Sequence, residues 1–197
     1  YTEELDIKTS KTLLHILIDI VSKNGNFLLN VSPTADGIIP EAQQKSLLEM
    51  GTWLRSNGEA IYGTRPFVTY GEGPKRLQGS GHFVAMTKPY DNENIRYTTK
   101  ENTVYAIQMG WAGSQKEVLL AAFSKEKLGK TEIENISVLD SSEKITWKLT
   151  EKGLLITTPF KASNKKAIVF KIETKNGWKT MTAEEKPLKR AAIEIDG

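Results

Sequence analysis

The chain has 197 residues, 39% of them hydrophobic, which is enough to bury a core. Its 27 basic and 24 acidic residues are scattered along the chain and give a net charge of +3, so nucleic acid is a poor candidate partner. The absence of cysteine excludes disulfides and cysteine-bound metals, and no apolar run reaches the roughly 18 residues of a membrane span.

The first predicted element is a helix over residues 10–23. Thr9 or Ser10 can cap its first turn, and a basic residue followed by Asn24-Gly25 ends it. Apolar residues recur along it at helical spacing, at Leu13, Leu17, Ile20 and Val21. The chain opens on Tyr1 with neither an initiator Met nor a signal peptide, so we expect it to begin within a longer protein.

A strand, a loop and a second helix are predicted next. Residues 27–31 form an apolar run broken only by Asn30, which is typical of a strand buried on both faces, as in a parallel sheet or barrel. Residues 33–37 hold the Pro, Asp and Gly of a turn. Pro40 and Glu41 suit a first helical turn, and Asn57-Gly58 ends the helix, whose apolar face is Leu47, Met50, Trp53 and Leu54.

After Arg65-Pro66 the helical periodicity gives way to short β-type runs separated by Gly, Asn, Asp and Lys. About eight antiparallel strands are predicted, which fit a β-sandwich. They cover residues 67–70, 95–99, 103–111, 118–123, 133–139, 145–149, 154–158 and 167–172. A final run at 191–196 is a further candidate edge strand.

Two residues of the strand and loop are candidates for contact with a ligand. In barrels, the chemistry lies where the carboxyl ends of strands meet the following loops, here residues 32–37. Asp36 is the only carboxylate there and could accept a hydrogen bond from a substrate hydroxyl, or could stabilise its own turn. Asn30 is expected to point into the barrel interior, where a structural hydrogen bond is favoured over ligand contact.

Histidine and tryptophan supply the other candidates. His15 and His82 are far apart in sequence and do not indicate a metal site, and we expect His15 to be satisfied within its helix or exposed. Trp111 and Trp178 follow or end strands beside glycines and could stack on a sugar ring or cover a sheet edge. Trp53 and, by alternation, Trp147 are predicted in the core.

The segments NGNFLLNVSPTADGIIP, at residues 24–40, and WLRSNGEAIYGTRP, at residues 53–66, carry a family resemblance. They resemble the end of the catalytic domain of retaining α-L-fucosidases, glycoside hydrolase family twenty-nine. The departure is Ser32, where the family usually has Gly. So many matches in order over about forty residues are far more specific than a single short motif.

The resemblance implies a fold of α/β plus all-β type. Residues 1–64 would be the last helix, strand and helix of a (β/α)8-like barrel, incomplete by itself, and residues 65–197 an antiparallel β-sandwich. It also implies hydrolysis of α-L-fucosidic bonds in glycans with retention, without a cofactor, through an Asp nucleophile and a Glu acid/base. In the family both lie on earlier barrel strands, so no catalytic residue is assigned in this chain, and it is expected to be inactive without an upstream barrel polypeptide.

A secreted or periplasmic location is a further implication of the resemblance. Two alternatives from other classes remain open at this point. One is an independent sandwich module that binds carbohydrate without hydrolysing it, through Trp111, Trp178 or His82. The other is a purely structural or interaction domain, which would carry a large apolar patch on its helices.

Overall fold

The computed structural model describes residues 7–74 and 90–178. Two helices come first, α1 at Ser10–Ser22 and α2 at Glu41–Asn57, both close to their predicted bounds. The side-chain oxygen of Thr9 accepts from the backbone N–H of Thr12, so Thr9 is the cap of α1. His82 and the candidate strand at 191–196 lie outside the described residues.

Eight strands follow among the described residues, the number predicted from the sequence. They are β1 Arg65–Glu72, β2 Ile95–Lys100, β3 Thr103–Gln108, β4 Glu117–Leu120, β5 Ile133–Val138, β6 Trp147–Thr150, β7 Gly153–Thr157 and β8 Ile168–Thr174. A short helix that was not predicted, α3 at Lys125–Leu128, separates β4 from β5.

The strands form two antiparallel sheets. One has the order β1-β2-β3-β8-β5 and the other the order β4-β7-β6. The larger core lies between the sheets, where alternate residues of the facing strands meet. Its fully buried members include Phe123, Leu154 and Phe170. The predicted antiparallel sandwich is therefore present in the described part of the chain.

The two long helices pack against the outer face of the five-stranded sheet. Tyr105, Ile107 and Val169 alternate with the residues of the inter-sheet core and point to the helices instead. Leu14 and Ile18 of α1 are fully buried there, although the sequence pattern had placed the apolar face of this helix at Leu13, Leu17, Ile20 and Val21. The helices and the sandwich therefore share a second continuous core.

The segment at 27–31 does not form the buried strand that the sequence predicted, and it belongs to no helix or strand. It has no ladder partner among the described residues, and Leu28 is 86% exposed. Phe27 and Leu29 are half-buried against the helix core, whereas Asn30 is exposed rather than turned into an interior. Burial on both faces requires a sheet with layers packed above and below it, and the described residues place no sheet around this segment.

The prediction that Trp147 lies in the core is also wrong. Trp147 pairs directly with the buried Ile156, so its side chain is on the inward face of the smaller sheet, as the alternation predicted. Strand β6 is however the edge strand of that sheet, and Trp147 is 39% exposed. Alternation predicts the face of a side chain, but the depth depends on the position of its strand within the sheet.

Candidate functional site

The candidate site is the loop from Ser32 to Ile39, called the rim loop below, which joins the segment at 27–31 to α2. The Thr34 N–H donates to the Ile38 carbonyl at 2.8 Å, and the Gly37 N–H donates to the Thr34 carbonyl at 2.9 Å. Gly37 has φ +80°, a left-handed conformation that glycine adopts without a steric cost. The rim loop is therefore a hydrogen-bonded turn, as the Pro, Asp and Gly of the sequence predicted.

The side chain of Gln43, in the first turn of α2, fixes the start of the rim loop. Its Oε1 accepts from the Ser32 N–H at 2.9 Å, and its Nε2 donates to the Ser32 carbonyl at 3.4 Å. Gln43 is buried, so these bonds are shielded from water. The Gln43 amide pairs with both backbone groups of Ser32, as a residue of a neighbouring strand would. The sequence did not indicate this role.

Asn30 and Asp36 both have exposed side chains, one just before the rim loop and one at its turn. Asp36 is the only carboxylate between residues 32 and 39. A single exposed carboxylate can accept a hydrogen bond from a sugar hydroxyl, but hydrolysis with two carboxyl groups needs a second one nearby. The assignment of Asn30 and Asp36 to a substrate rim stays a prediction.

The helices that carry the rim loop are anchored to the sandwich through two adjacent carbonyls. His15 Nε2 lies 2.7 Å from the Lys166 carbonyl oxygen, and Trp53 Nε1 donates to the Ala167 carbonyl at 2.9 Å. His15 is fully buried, and burial lowers its pKa to about 4, so the ring is neutral at pH 7 and its Nε2 carries the donated proton. His15 Nε2 is thus paired within the interface, whereas His15 Nδ1 is buried and has no hydrogen-bond partner among the described residues, so the expectation of a satisfied histidine is met only in part. Trp53 is a core residue, as predicted.

A buried charged cluster joins α1 to the same sheet. Asp19 Oδ1 accepts from Arg96 Nε at 2.6 Å and from the Tyr90 hydroxyl at 3.0 Å, while Oδ2 accepts from Lys23 Nζ at 2.6 Å. The Arg96 guanidinium also lies 4.4 Å from the centre of the Tyr90 ring and 5.6 Å from that of Tyr70. Asp19 and Arg96 are therefore paired and enclosed, which is the condition under which buried charges are tolerated.

The two tryptophans proposed for sugar stacking both lie against the inter-sheet core. Trp178 Nε1 donates to the Glu101 carbonyl at 3.0 Å, and its ring meets Phe67 edge-on at a centroid distance of 5.5 Å. Trp111 is half-buried and also packs on that core. These contacts are those of residues that cover a sheet edge, and the stacking role of Trp111 and Trp178 stays a prediction.

Sequence reasoning missed three polar contacts between the helices and the sandwich, namely the Asp19–Arg96 pair, the bond from His15 and the bond from Trp53. One signal was available for the pair: an acidic residue in the most apolar helix, and an arginine inside a β-type run.

Within residues 7–74 and 90–178, no cluster of three His, Asp or Glu side chains could bind a metal ion. Across the same residues, no helix is long and apolar enough to cross a membrane.

Solved structures with this arrangement of helices and sandwich are glycoside hydrolases. An α-fucosidase of Thermotoga maritima matches with a TM-score of 0.66 and 27% identity, over 87% of this chain and 36% of that chain. α-L-Fucosidase isoenzyme 1 of Paenibacillus thiaminolyticus matches with a TM-score of 0.64 and 26% identity, over 89% of this chain and 37% of that one. The class of protein that the fold resembles is therefore that of the glycoside hydrolases.

The sequence comparisons specify the family. The α-L-fucosidase family matches residues 1–59, and the α-L-fucosidase C-terminal domain matches residues 88–173. Tissue α-L-fucosidase of Bos taurus is 32% identical over 80% of this chain, and plasma α-L-fucosidase of Rattus norvegicus is 32% identical over 88% of it. The chain belongs to the α-L-fucosidase family, and it spans 29% and 32% of the lengths of these two relatives.

Proposed function

We propose that this chain is the C-terminal part of an α-L-fucosidase that hydrolyses α-L-fucosidic bonds in glycans with retention. The Asp nucleophile and the Glu acid/base would come from barrel strands outside these 197 residues. Two carboxyl groups about 5 Å apart allow one to attack the anomeric carbon while the other protonates the leaving oxygen. One of the solved relatives, the Thermotoga maritima enzyme at 28% identity, is described in complex with fucose, which supports fucose as the sugar.

The observation that carries the proposal is the segment at 27–31, which has no strand partner among the described residues. Its Leu28 is 86% exposed, although the helices on either side of it in the chain are packed on the sandwich. Val31 and Ile38 add exposed apolar surface before and within the rim loop. Exposed apolar side chains on a segment that has no partner within the described part of the chain are what a strand presents to neighbours in a sheet.

In this proposal the sandwich is a buttress rather than a catalytic unit. The hydrogen bonds that its Lys166 and Ala167 carbonyls accept from the helices, together with the Asp19–Arg96 pair, would hold α1, α2 and the rim loop rigid against the barrel. The family comparisons do not favour a stand-alone carbohydrate-binding module. The secreted or periplasmic location implied by the resemblance stays a prediction.

The test is a complementation assay with an aryl α-L-fucoside. This chain replaces the matching C-terminal part of the Thermotoga maritima α-fucosidase, and turnover by the chimera is compared with turnover by the chain alone. We expect the chimera to hydrolyse the fucoside with retained anomeric configuration and the isolated chain to be inactive. Turnover by the purified chain alone would contradict the proposal, because it would require a complete carboxylate pair within these residues.

A matched pair of variants tests the role of the segment. Leu28→Asp places a charge where a barrel neighbour would pack, so the chimera should lose its activity. Phe160→Asp is the control, because Phe160 is also a large exposed apolar residue, 65% exposed, but lies in the sandwich after β7. Equal activity of the two variants would refute the assignment of residues 27–31 to an inner barrel strand.

A further inference from the structure

The sequence contains three Asn-Gly dipeptides, and the fold holds them in different ways. They are Asn24-Gly25, Asn57-Gly58 and Asn176-Gly177. In such a dipeptide the backbone nitrogen of the glycine can attack the side-chain carbonyl carbon of the asparagine, because glycine has no Cβ to hinder the approach. The three dipeptides are alike in sequence, so a difference in their reactivity has to come from the structure.

Two of the three glycines are held by the ends of the long helices. The Gly25 N–H donates to the Ile20 carbonyl at 2.9 Å, and the Gly58 N–H donates to the Leu54 carbonyl. A glycine nitrogen that donates in this way cannot attack until its hydrogen bond has broken. Asn57 is also 1% exposed, and its side-chain amide donates to a carbonyl of α2 at 3.1 Å.

Asn176-Gly177 lies in the bend that follows β8 and is not held in this way. Asn176 is exposed, as Asn24 is, so water reaches both side chains. Across residues 7–74 and 90–178, however, the Gly177 N–H has no acceptor and the Asn176 side chain has no hydrogen-bond partner. No hydrogen bond therefore has to break before the Gly177 nitrogen attacks.

We propose that Asn176 is a site of spontaneous deamidation in the folded protein. The Gly177 nitrogen forms a bond to Cγ of Asn176 while the bond from Cγ to Nδ2 breaks. The proton of the Gly177 N–H passes through water to the departing amino group, which leaves as ammonia. One water then opens the resulting succinimide ring at either of its carbonyls, so the product is aspartate or isoaspartate and no oxidant or reductant is consumed.

The isoaspartate product changes the backbone between two anchored points. The Lys175 N–H donates to the Glu132 carbonyl at 3.0 Å, and the Gly177 carbonyl accepts from the Thr131 hydroxyl at 3.2 Å. Isoaspartate adds one methylene to the backbone between these anchors, so at least one of them has to shift. Trp178, whose ring covers the edge of the core, follows at once and should be loosened.

The experiment is a time course of the folded 197-residue chain in mildly alkaline buffer, followed by peptide mass spectrometry of the three asparagines. Asn176 should react at least about threefold faster than Asn24, because only the reaction of Asn24 has to break a hydrogen bond first. Asn57 should be the slowest of the three, because it is buried as well. In urea the three rates should become similar, because no helix end is left to hold Gly25 or Gly58.

Two matched variants complete the test. Asn176→Gln lengthens the side chain by one methylene, so the attack would have to form a six-membered ring, and the modification at this position should be lost. Asn24→Gln, the same change at the other exposed dipeptide, should leave the modification of Asn176 unchanged.

Equal rates at Asn24 and Asn176 in the folded chain would overturn the proposal, as would a preference for Asn176 that is just as large in urea. The reacted fraction should unfold at a lower urea concentration than the unreacted one, and equal midpoints would contradict the loosening of Trp178. No step of the test uses a fucoside or a barrel, so its outcome is independent of the proposed function.

Discussion

Removal of the buried Asp19 carboxylate, at the interface between α1 and the sandwich, should lower the stability of the fold far more than removal of the exposed Glu151 carboxylate. The Asp19–Arg96 contact is 2.6 Å with both side chains 2% exposed, whereas the Lys125–Glu151 contact is 2.8 Å with side chains 70% and 78% exposed. The two ion pairs are nearly equal in distance and differ in burial. Variants of the two pairs therefore separate the effect of burial on stability from the effect of the distance between the charges.

Asp19→Ala leaves the Arg96 guanidinium enclosed without its carboxylate, and also removes the acceptor of Tyr90 and Lys23. Breaking a buried pair in this way costs about 3 to 5 kcal/mol, which lowers the melting temperature of a chain of this size by roughly 6 to 20 °C. Glu151→Ala removes a contact that water already screens, so no measurable change is expected.

The assay is urea unfolding followed by tryptophan fluorescence, which reports on the environments of all four tryptophans including Trp53 in the interface, and by circular dichroism, which reports on the secondary structure. The double variant Asp19→Leu, Arg96→Met should recover most of the loss, because it removes both charges and leaves apolar side chains. If Asp19→Ala and Glu151→Ala shifted the midpoint equally, or if the double variant were less stable than Asp19→Ala, the reasoning from burial would be refuted.

Three further predictions concern the same scaffold. Burial lowers the pKa of His15 from 6.5 to about 4, so the unfolded state binds more protons than the folded state between these pH values. The free energy of unfolding should therefore fall by roughly 3 kcal/mol as the pH drops from 6.5 to about 4. Urea titrations of His15→Gln at several pH values should lack this pH-dependent loss of stability. Trp53→Phe leaves the Ala167 carbonyl unpaired and should cost roughly 1 to 3 kcal/mol in the same assay, and an unchanged midpoint would contradict the anchor. Gly153→Ala should destabilise by roughly 1 to 3 kcal/mol, measured by thermal melting, because Gly153 has φ +151° and a Cβ there would lie 2.4 Å from the Leu120 carbonyl oxygen.

The elements that depend on local sequence could be predicted closely. The cap at Thr9 and the stop before Gly58 place both long helices within about a residue, because capping and periodicity are properties of neighbouring residues. Strand β3 ends at Gln108, earlier than the predicted residue 111. Pattern alone therefore gives the element and its type more reliably than its boundary.

Properties that depend on distant residues could not be predicted. The run at 27–31 has the composition of a buried strand, but burial is a property of its neighbours, and the described residues leave Leu28 exposed. For the candidate site, the turn at Gly37 was predictable from its dipeptide, whereas the clamp of Gln43 on Ser32 required the packing of α2 against the rim loop. The partner of Arg96 lies 77 residues away, beyond the range of any periodicity.

The carbonyls of Lys166 and Ala167 also set the time during synthesis at which α1 and α2 can be anchored to the sandwich. His15 must wait for a carbonyl 151 residues further along the chain, and Trp53 for one 114 residues further along. At a ribosomal rate of about 5 to 20 residues per second, α1 emerges roughly 8 to 30 s before its anchor exists. During that interval its apolar face has no sandwich to cover it, so this surface stays open to other contacts until β8 has been made.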